Sequence, residues 1–387
     1  MKKYLLLGIA IFTSLALAAC SSTLLPYQTH TKQNLLKETW LKEVNTNPNL
    51  WKKDADWWFL TGDPNKTERY NHKAPPYDVI STMSVRVPNF TNIKIAGNYQ
   101  VQIIGYQEHN SVYILGPNHQ IRQVIVNIRH HTLYLDQAKN TTHAPLDKVI
   151  VRIGVRNLHD LTVVGSATVE GRHVSSDHLV ICSFGPGQII LEGTINLAKV
   201  NNFGTGTITV MGVYTPSLRI NVQGNGSVNV SGEVGVQSIG HFGDGTVSII
   251  GANTDCLTID ATGCGLTSVA GYANLREVNA RQASRVYVYW VTANKTMVTV
   301  RDDARVGLAG NSTDLTIQTF NKARFMGRYL RACNVFARSR DNSHINVHSN
   351  HKLFAAAVGN SSIYFLGSPP AVSRQNSSQS VILPIDS

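Results

Sequence analysis

Along most of the chain one short pattern recurs: a small residue, then a polar one, an apolar one, a polar one and another apolar one. The small anchor falls at Ala167, Gly187, Gly206, Gly226, Gly245, Gly265, Ser284, Ala304, Ala323, Ser343 and Ser361, in steps of 19 or 20 residues with a last step of 18. Two positions after it come Val169, Ile189, Ile208, Val228, Val247, Thr267, Val286, Val306, Phe325, Ile345 and Ile363, apolar except for the threonine. Four positions after it come Leu191, Val210, Val230, Ile249, Val269, Val288, Leu308, Val347 and Phe365, with Gly171 and Gly327 in the other two units. A period of two is that of a strand, so these two columns predict one inward face. Six positions after the anchor, glycine recurs at Gly193, Gly212, Gly232, Gly251, Gly271, Gly310 and Gly367. Glycine at a fixed position suits a corner taken at φ > 0. A second alternating run precedes each next anchor, as in Leu218–Val222 and Leu315–Thr319.

Each unit therefore predicts a coil of short strands, which cannot bury its apolar face alone. Coils stacked at ~4.8 Å pair every strand with its neighbours and create a continuous core. The expected fold class is all-β, a parallel β-solenoid of about eleven coils and roughly 50 Å in length. Phe184, Phe203, Phe242 and Phe320 share one coil position, broken by Gln223. Phe184, Phe203 and Phe242 are expected to form an internal aromatic column.

The pattern is absent from the first part of the chain. Lys2 and Lys3 precede an apolar run and the small residues Leu17-Ala18-Ala19-Cys20, the layout of a secretory signal too short to span a bilayer comfortably. Leu-Ala-Ala-Cys resembles the lipobox of bacterial lipoproteins, which implies cleavage after residue 19, fatty acylation of Cys20 and, with Ser21 following, sorting to the outer membrane. Between Cys20 and about residue 80 lie Trp40, Trp51, Trp57 and Trp58. Leu36, Trp40 and Val44 have helical spacing, and four prolines break the remainder. Trp40, Trp57 and Trp58 are candidates either for docking a partner or for covering the open end of the solenoid. The expected organisation is a signal peptide over 1–19, a lipidated, partly helical extension over 20–80, the β-helix over 81–372 and a tail over 373–387.

With the repeat and its flanks in place, the chain resembles the GIN-type head domain of auto-transporter adhesins, from about Val87 to Val381. The opening strands at Phe90–Ile95, Val101–Ile103, Val124–Val126 and Leu133–Leu135 are similar to the family's, as is the turn Gly165-Ser166-Ala167. The close at Ile363–Pro369 is similar to its final strand and Gly-x-Pro exit. The resemblance implies a right-handed β-helix and carries no catalytic residues. Past Gly265 the Gly-x-Gly turns give way to turns rich in Arg and Asp, a departure from the family pattern.

Charge adds one feature. The formal net charge is +11, which favours acidic partners. It is unevenly placed: residues 178–268 hold two basic and five acidic side chains, residues 276–341 twelve basic and five acidic. The outward position after the anchor is Thr168, Gln188, Thr207, Ser227 and Thr246 in early coils, then Arg285, Arg305 and Arg324, then His344. Stacked guanidinium groups repel unless splayed or bridged by anions, and their planar fork suits carboxylate and phosphate.

Other chemistry finds little footing. Asp302 and Asp303 are adjacent and would point to opposite faces of a strand, unlike a glycosidase pair. His344 and His348 are too far apart along a strand to share one ion, so no metal is expected. Cys182 and Cys264 lie several coils apart; only Cys256 and Cys264 could meet, and buried free thiols are the expectation. No nucleotide fingerprint, cofactor site or nucleic-acid partner is expected. These features predict a non-enzymatic envelope lipoprotein, adhesin-like or a structural subunit of an envelope complex. Its partner would be an envelope protein, an acidic glycan or lipopolysaccharide. The competing expectation is a polysaccharide-active β-helix enzyme.

Overall fold

The computed structural model describes residues 80–138 and 146–385. These form a β-solenoid of about 12 turns with almost no helix. Cys20 and the tryptophans Trp40, Trp57 and Trp58 lie outside the described residues, as does the expected helix around Leu36.

The opening is a small mixed sheet. Strand β1 (Ile80–Val85) pairs antiparallel with β4 (Ser111–Pro117), β4 with β7 (Ile150–Gly154), and β5 (Val124–Arg129) with β6 (Thr132–Gln137). One helical turn, α1 (Asn118–Ile121), separates β4 from β5. Parallel pairing begins with β2 (Asn92–Ala96), which lies between β6 and β8 (Asp160–Val164), and β3 (Gln100–Ile104), which lies between β7 and β9 (Thr168–Phe184). From β9 onward each coil is one long bent strand: β10 (Gln188–Asn202), β11 (Thr207–Gln223), β12 (Ser227–Phe242), β13 (Thr246–Gly263), β14 (Leu266–Gln282), β15 (Arg285–Val300), β16 (Arg305–Thr319), β17 (Arg324–Asp341) and β18 (His344–Gly359). Each pairs in parallel with the next.

The inward columns stand where the alternation puts them. Val169, Ile189, Ile208 and Val228 are in mutual register and fully buried, as is every later member of that column. The column runs past both ends of the repeat, through Val101 and Val151 at the start and Ile382 at the close. A second inward column, from Leu133, Ile93 and Leu161 to Ile181, Val200 and Ile220, lines the other face. The corner glycines are needed for a packing reason: a Cβ on Gly212 would strike the carbonyl oxygen of Gly193 one coil below, and its φ is +73°.

Three expectations are corrected. First, Phe184, Phe203 and Phe242 point outward, 43%, 37% and 41% exposed, and Phe184 stacks on Phe203 at 5.2 Å. The inward positions beside them are Ser183, Asn202 and His241. Of these, Asn202 satisfies backbone of the adjoining turn, its Nδ2 donating to the Gly206 carbonyl at 2.8 Å, while His241 Nδ1 meets Thr267 Oγ1 at 3.0 Å. Second, all four repeat cysteines are free and three of them, Cys256, Cys264 and Cys333, are exposed rather than buried. Cys264 sits in a turn, where its amide donates to Asp244 Oδ1 at 2.9 Å. Third, the expected tail carries two further strands, β20 (Ala371–Asn376) on β18 and β21 (Val381–Pro384) on β19 (Ser362–Leu366), so the coil stacking continues beyond residue 372.

Candidate binding surface

The turn that ends each coil explains how the charged surface is held. In the early coils its first residue is glycine, held in the left-handed region at Gly165, Gly185, Gly224 and Gly263. In the later coils the same place is taken by Gln282 (φ 60°), Asp302 (φ 64°), Asn321 (φ 63°) and Asp341 (φ 65°). Asn and Asp tolerate this conformation because their short polar side chains bond nearby backbone. Here they bond the neighbouring coils. Asp302 accepts the Gln282 amide at 3.1 Å through Oδ2 and the Asn321 side-chain amide at 2.8 Å through Oδ1, while Asp341 accepts the Asn321 backbone amide at 3.1 Å. The change from Gly-x-Gly to Asp-rich turns is thus a change of turn chemistry within an unchanged coil. It also occupies the Asp302 carboxylate in holding backbone.

Arg285, Arg305, Arg324 and His344 follow these turns on successive coils. They pair residue to residue in the parallel register, and all four are exposed. Among the described residues no carboxylate lies within ion-pairing distance of Arg285, Arg305, Arg324 or the nearby Lys322. With Ala283, Asp303 and Asn342 these cations line a shallow cavity of about 350 Å³. His344 closes one end, hydrogen-bonded through Nδ1 to Ser362 Oγ.

The other side of the same turn carries charge that the anchor-based columns leave out. The last outward residue before the turn is Arg281, Arg301, Phe320 and Arg340 in four successive coils. The guanidinium groups of Arg301 and Arg340 lie 4.5 and 5.8 Å from the centre of the Phe320 ring. Their signal in the sequence was a shared coil position, the one that holds Phe184, Phe203 and Phe242 in the early coils.

No helix among the described residues is long and apolar enough to cross a membrane. No group of three metal-ligating side chains gathers among them.

No curated protein matches the chain. Among solved structures it is similar to a putative adhesin from Bacteroides fragilis at 15% identity and a TM-score of 0.27. It is also similar to a putative lipid binding protein from Parabacteroides distasonis at 10% identity and a TM-score of 0.28, each match covering 79% of this chain and 97% of the other. A putative adhesin from Parabacteroides merdae matches at 14% identity and a TM-score of 0.26, over 79% of this chain and 96% of that one. The family described as "Putative auto-transporter adhesin, head GIN domain" matches residues 89–275, from β2 into β14. Over those residues, just under half of its length, this chain is similar to the head GIN domain family.

Proposed function

We propose that this protein is an adhesin-like, non-enzymatic lipoprotein of the outer membrane, tethered through acylated Cys20, whose solenoid is a rigid surface for binding or scaffolding a partner. The observation that carries this reading is the row of Arg285, Arg305 and Arg324, in register, exposed and without carboxylate partners. Like charges stacked at ~4.8 Å disfavour the fold slightly, so their arrangement is better accounted for by an anionic partner than by packing. The similarity of residues 89–275 to the head GIN domain family supports an adhesin-like role, and the structural use of the Asp302 carboxylate weighs against the polysaccharide-cleaving alternative. The partner class is an envelope protein, an acidic glycan or lipopolysaccharide, with Trp40, Trp57 and Trp58 of the extension as further docking contacts.

The test compares the wild-type chain with R285Q/R305Q/R324Q as baits for envelope components in mild detergent. Loss of a captured component in the variant supports the reading. Equal capture by both proteins, or none by either, overturns it. Surface labelling of intact cells then separates an outward-facing adhesin from a periplasmic subunit.

A further inference from the structure

Resting on that reading of the solenoid as a binding surface, we infer that the partner is a linear polysaccharide bearing carboxylates. It lies along the corner where two rows of cations flank the Asp/Asn turn.

The first row is Arg285, Arg305 and Arg324, with Lys322 between it and the turn, all against one cavity. The second row, Arg281, Arg301 and Arg340, comes from the strand run on the other side of the turn, with Phe320 in the remaining coil. Only three residues separate Arg281 from Arg285, and Arg301 from Arg305, so the two rows flank the same turn and their potentials add. In the turns of these coils the carboxylates are Asp302, Asp303 and Asp341, and two of the three are bonded to turn amides.

The second row is also ordered. Arg301 and Arg340 stack on Phe320, which fixes two long side chains that would otherwise lose rotamer freedom on binding. The turns beneath are tied coil to coil by the Asp302, Asn321 and Asp341 ladder, so the spacing of the cations is set by the strand stacking itself.

That geometry selects the ligand. In the first row a cation repeats once per coil, at ~4.8 Å, and in the second row three of four coils carry one. A pyranose linked through opposite ring positions advances by roughly the same step, so the carboxylates of a polymer with one per sugar recur at the spacing of the coils. Each contact can be a charge-assisted fork.

The test uses the full-length chain in mild detergent and measures retention, at rising salt, on immobilised polygalacturonate, polyphosphate, neutral dextran and vesicles of phosphatidylglycerol. Three proteins are compared: wild type, R285Q/R305Q/R324Q and R281Q/R301Q/R340Q. The expected result is salt-sensitive retention of wild type on polygalacturonate above the other three supports, reduced roughly tenfold in affinity by either triple substitution. Melting curves report whether each variant is folded. Should the second triple lose its fold, R281Q/R340Q, which leaves the closer Arg301–Phe320 stack in place, gives the same readout. Loss with the first-row variant alone overturns the two-row site and leaves a single-row surface. Preference for polyphosphate or vesicles overturns the carboxylate-glycan assignment while leaving the surface anionic-selective. No retention of wild type on any polyanion overturns the inference outright, and capture of envelope components then decides the broader reading by itself.

Discussion

Asn321 donates its side-chain amide to the Asp302 carboxylate, 2.8 Å away in the coil below, while each residue holds a left-handed turn with φ near +63°. The pair does locally what glycine does in the early coils. Asp302→Gly keeps the backbone conformation and loses the hydrogen bonds, at a cost of about 1–2 kcal/mol. Asp302→Ala loses the bonds and adds left-handed strain of about 1 kcal/mol, so it is the less stable of the two. Denaturant melts of both variants check the order. Alanine tolerated as well as glycine would mean that the turn does not constrain this residue.

Phe203 is expected to be dispensable for folding. Its ring is 37% exposed and stacked on Phe184. Phe203→Ser should cost about 1 kcal/mol, the scale of a surface ring stack, where a core phenylalanine would cost about 3–5 kcal/mol. Chemical denaturation distinguishes the two.

Val228 gives the opposite case. It is fully buried, in register with Ile208 and Val247. Val228→Asp places a charge with no partner in the inner column, a loss of at least about 3 kcal/mol, and the midpoint of unfolding should fall steeply. An unchanged midpoint would place the side chain outside.

His241 supplies a pH dependence. Its ring is buried, with Nδ1 against Thr267 Oγ1 at 3.0 Å and Nε2 without a partner. Desolvation by burial holds its pKa below the usual 6.5, partly opposed by the charge of Asp244. The unfolded chain therefore takes up a proton near pH 6.5 that the folded chain refuses. The stability associated with neutral His241 is present above that pH and is lost as pH falls toward the lower folded value. His241→Asn, which places at this position the side chain that Asn202 uses, should flatten stability over that window. Melting temperatures of the two proteins between about pH 7.5 and 5.5 check this, and parallel curves would refute it.

These cases show where the fold could be seen in the sequence and where it could not. Val228 and its column were legible because an alternation repeated coil after coil has one inward face. The column of Asn202 and His241 was not, because hydrophobicity alone puts the neighbouring Phe203 and Phe242 inside. A slip of one residue exchanges the faces of a strand. At Asn202 the inward register lets the side-chain amide bond the turn carbonyl of Gly206, a contact that composition does not reveal. The Arg285, Arg305 and Arg324 row was visible by counting from the anchor. Arg281, Arg301 and Arg340 stand before the anchor, across the turn, so their closeness to that row emerges only once the turn is built. The last coil escaped notice because Ala371–Asn376 is exposed throughout and shows no apolar period.

The stacked arginines also make a prediction about stability without any ligand. Arg305 has a like charge directly beside it on both sides, Arg285 in the coil below and Arg324 in the coil above. Arg285 has one such neighbour, since the position below it is Leu266. Cross-strand like charges disfavour the fold, and salt screens that repulsion. Arg305→Gln should therefore raise the melting temperature at low ionic strength by about 1–2 °C, more than Arg285→Gln does. The gain should vanish near 1 M salt, where the screening length is ~3 Å. Arg301 is the control. Its guanidinium is held on the Phe320 ring, so Arg301→Gln removes an attraction and should lower the melting temperature. Thermal melts of the three variants at low and high salt give the comparison. If Arg305→Gln changes nothing at either salt concentration, the side chains are splayed far enough into water to ignore one another. The row is then not strained in the free protein, and an anionic partner would gain nothing by relieving it.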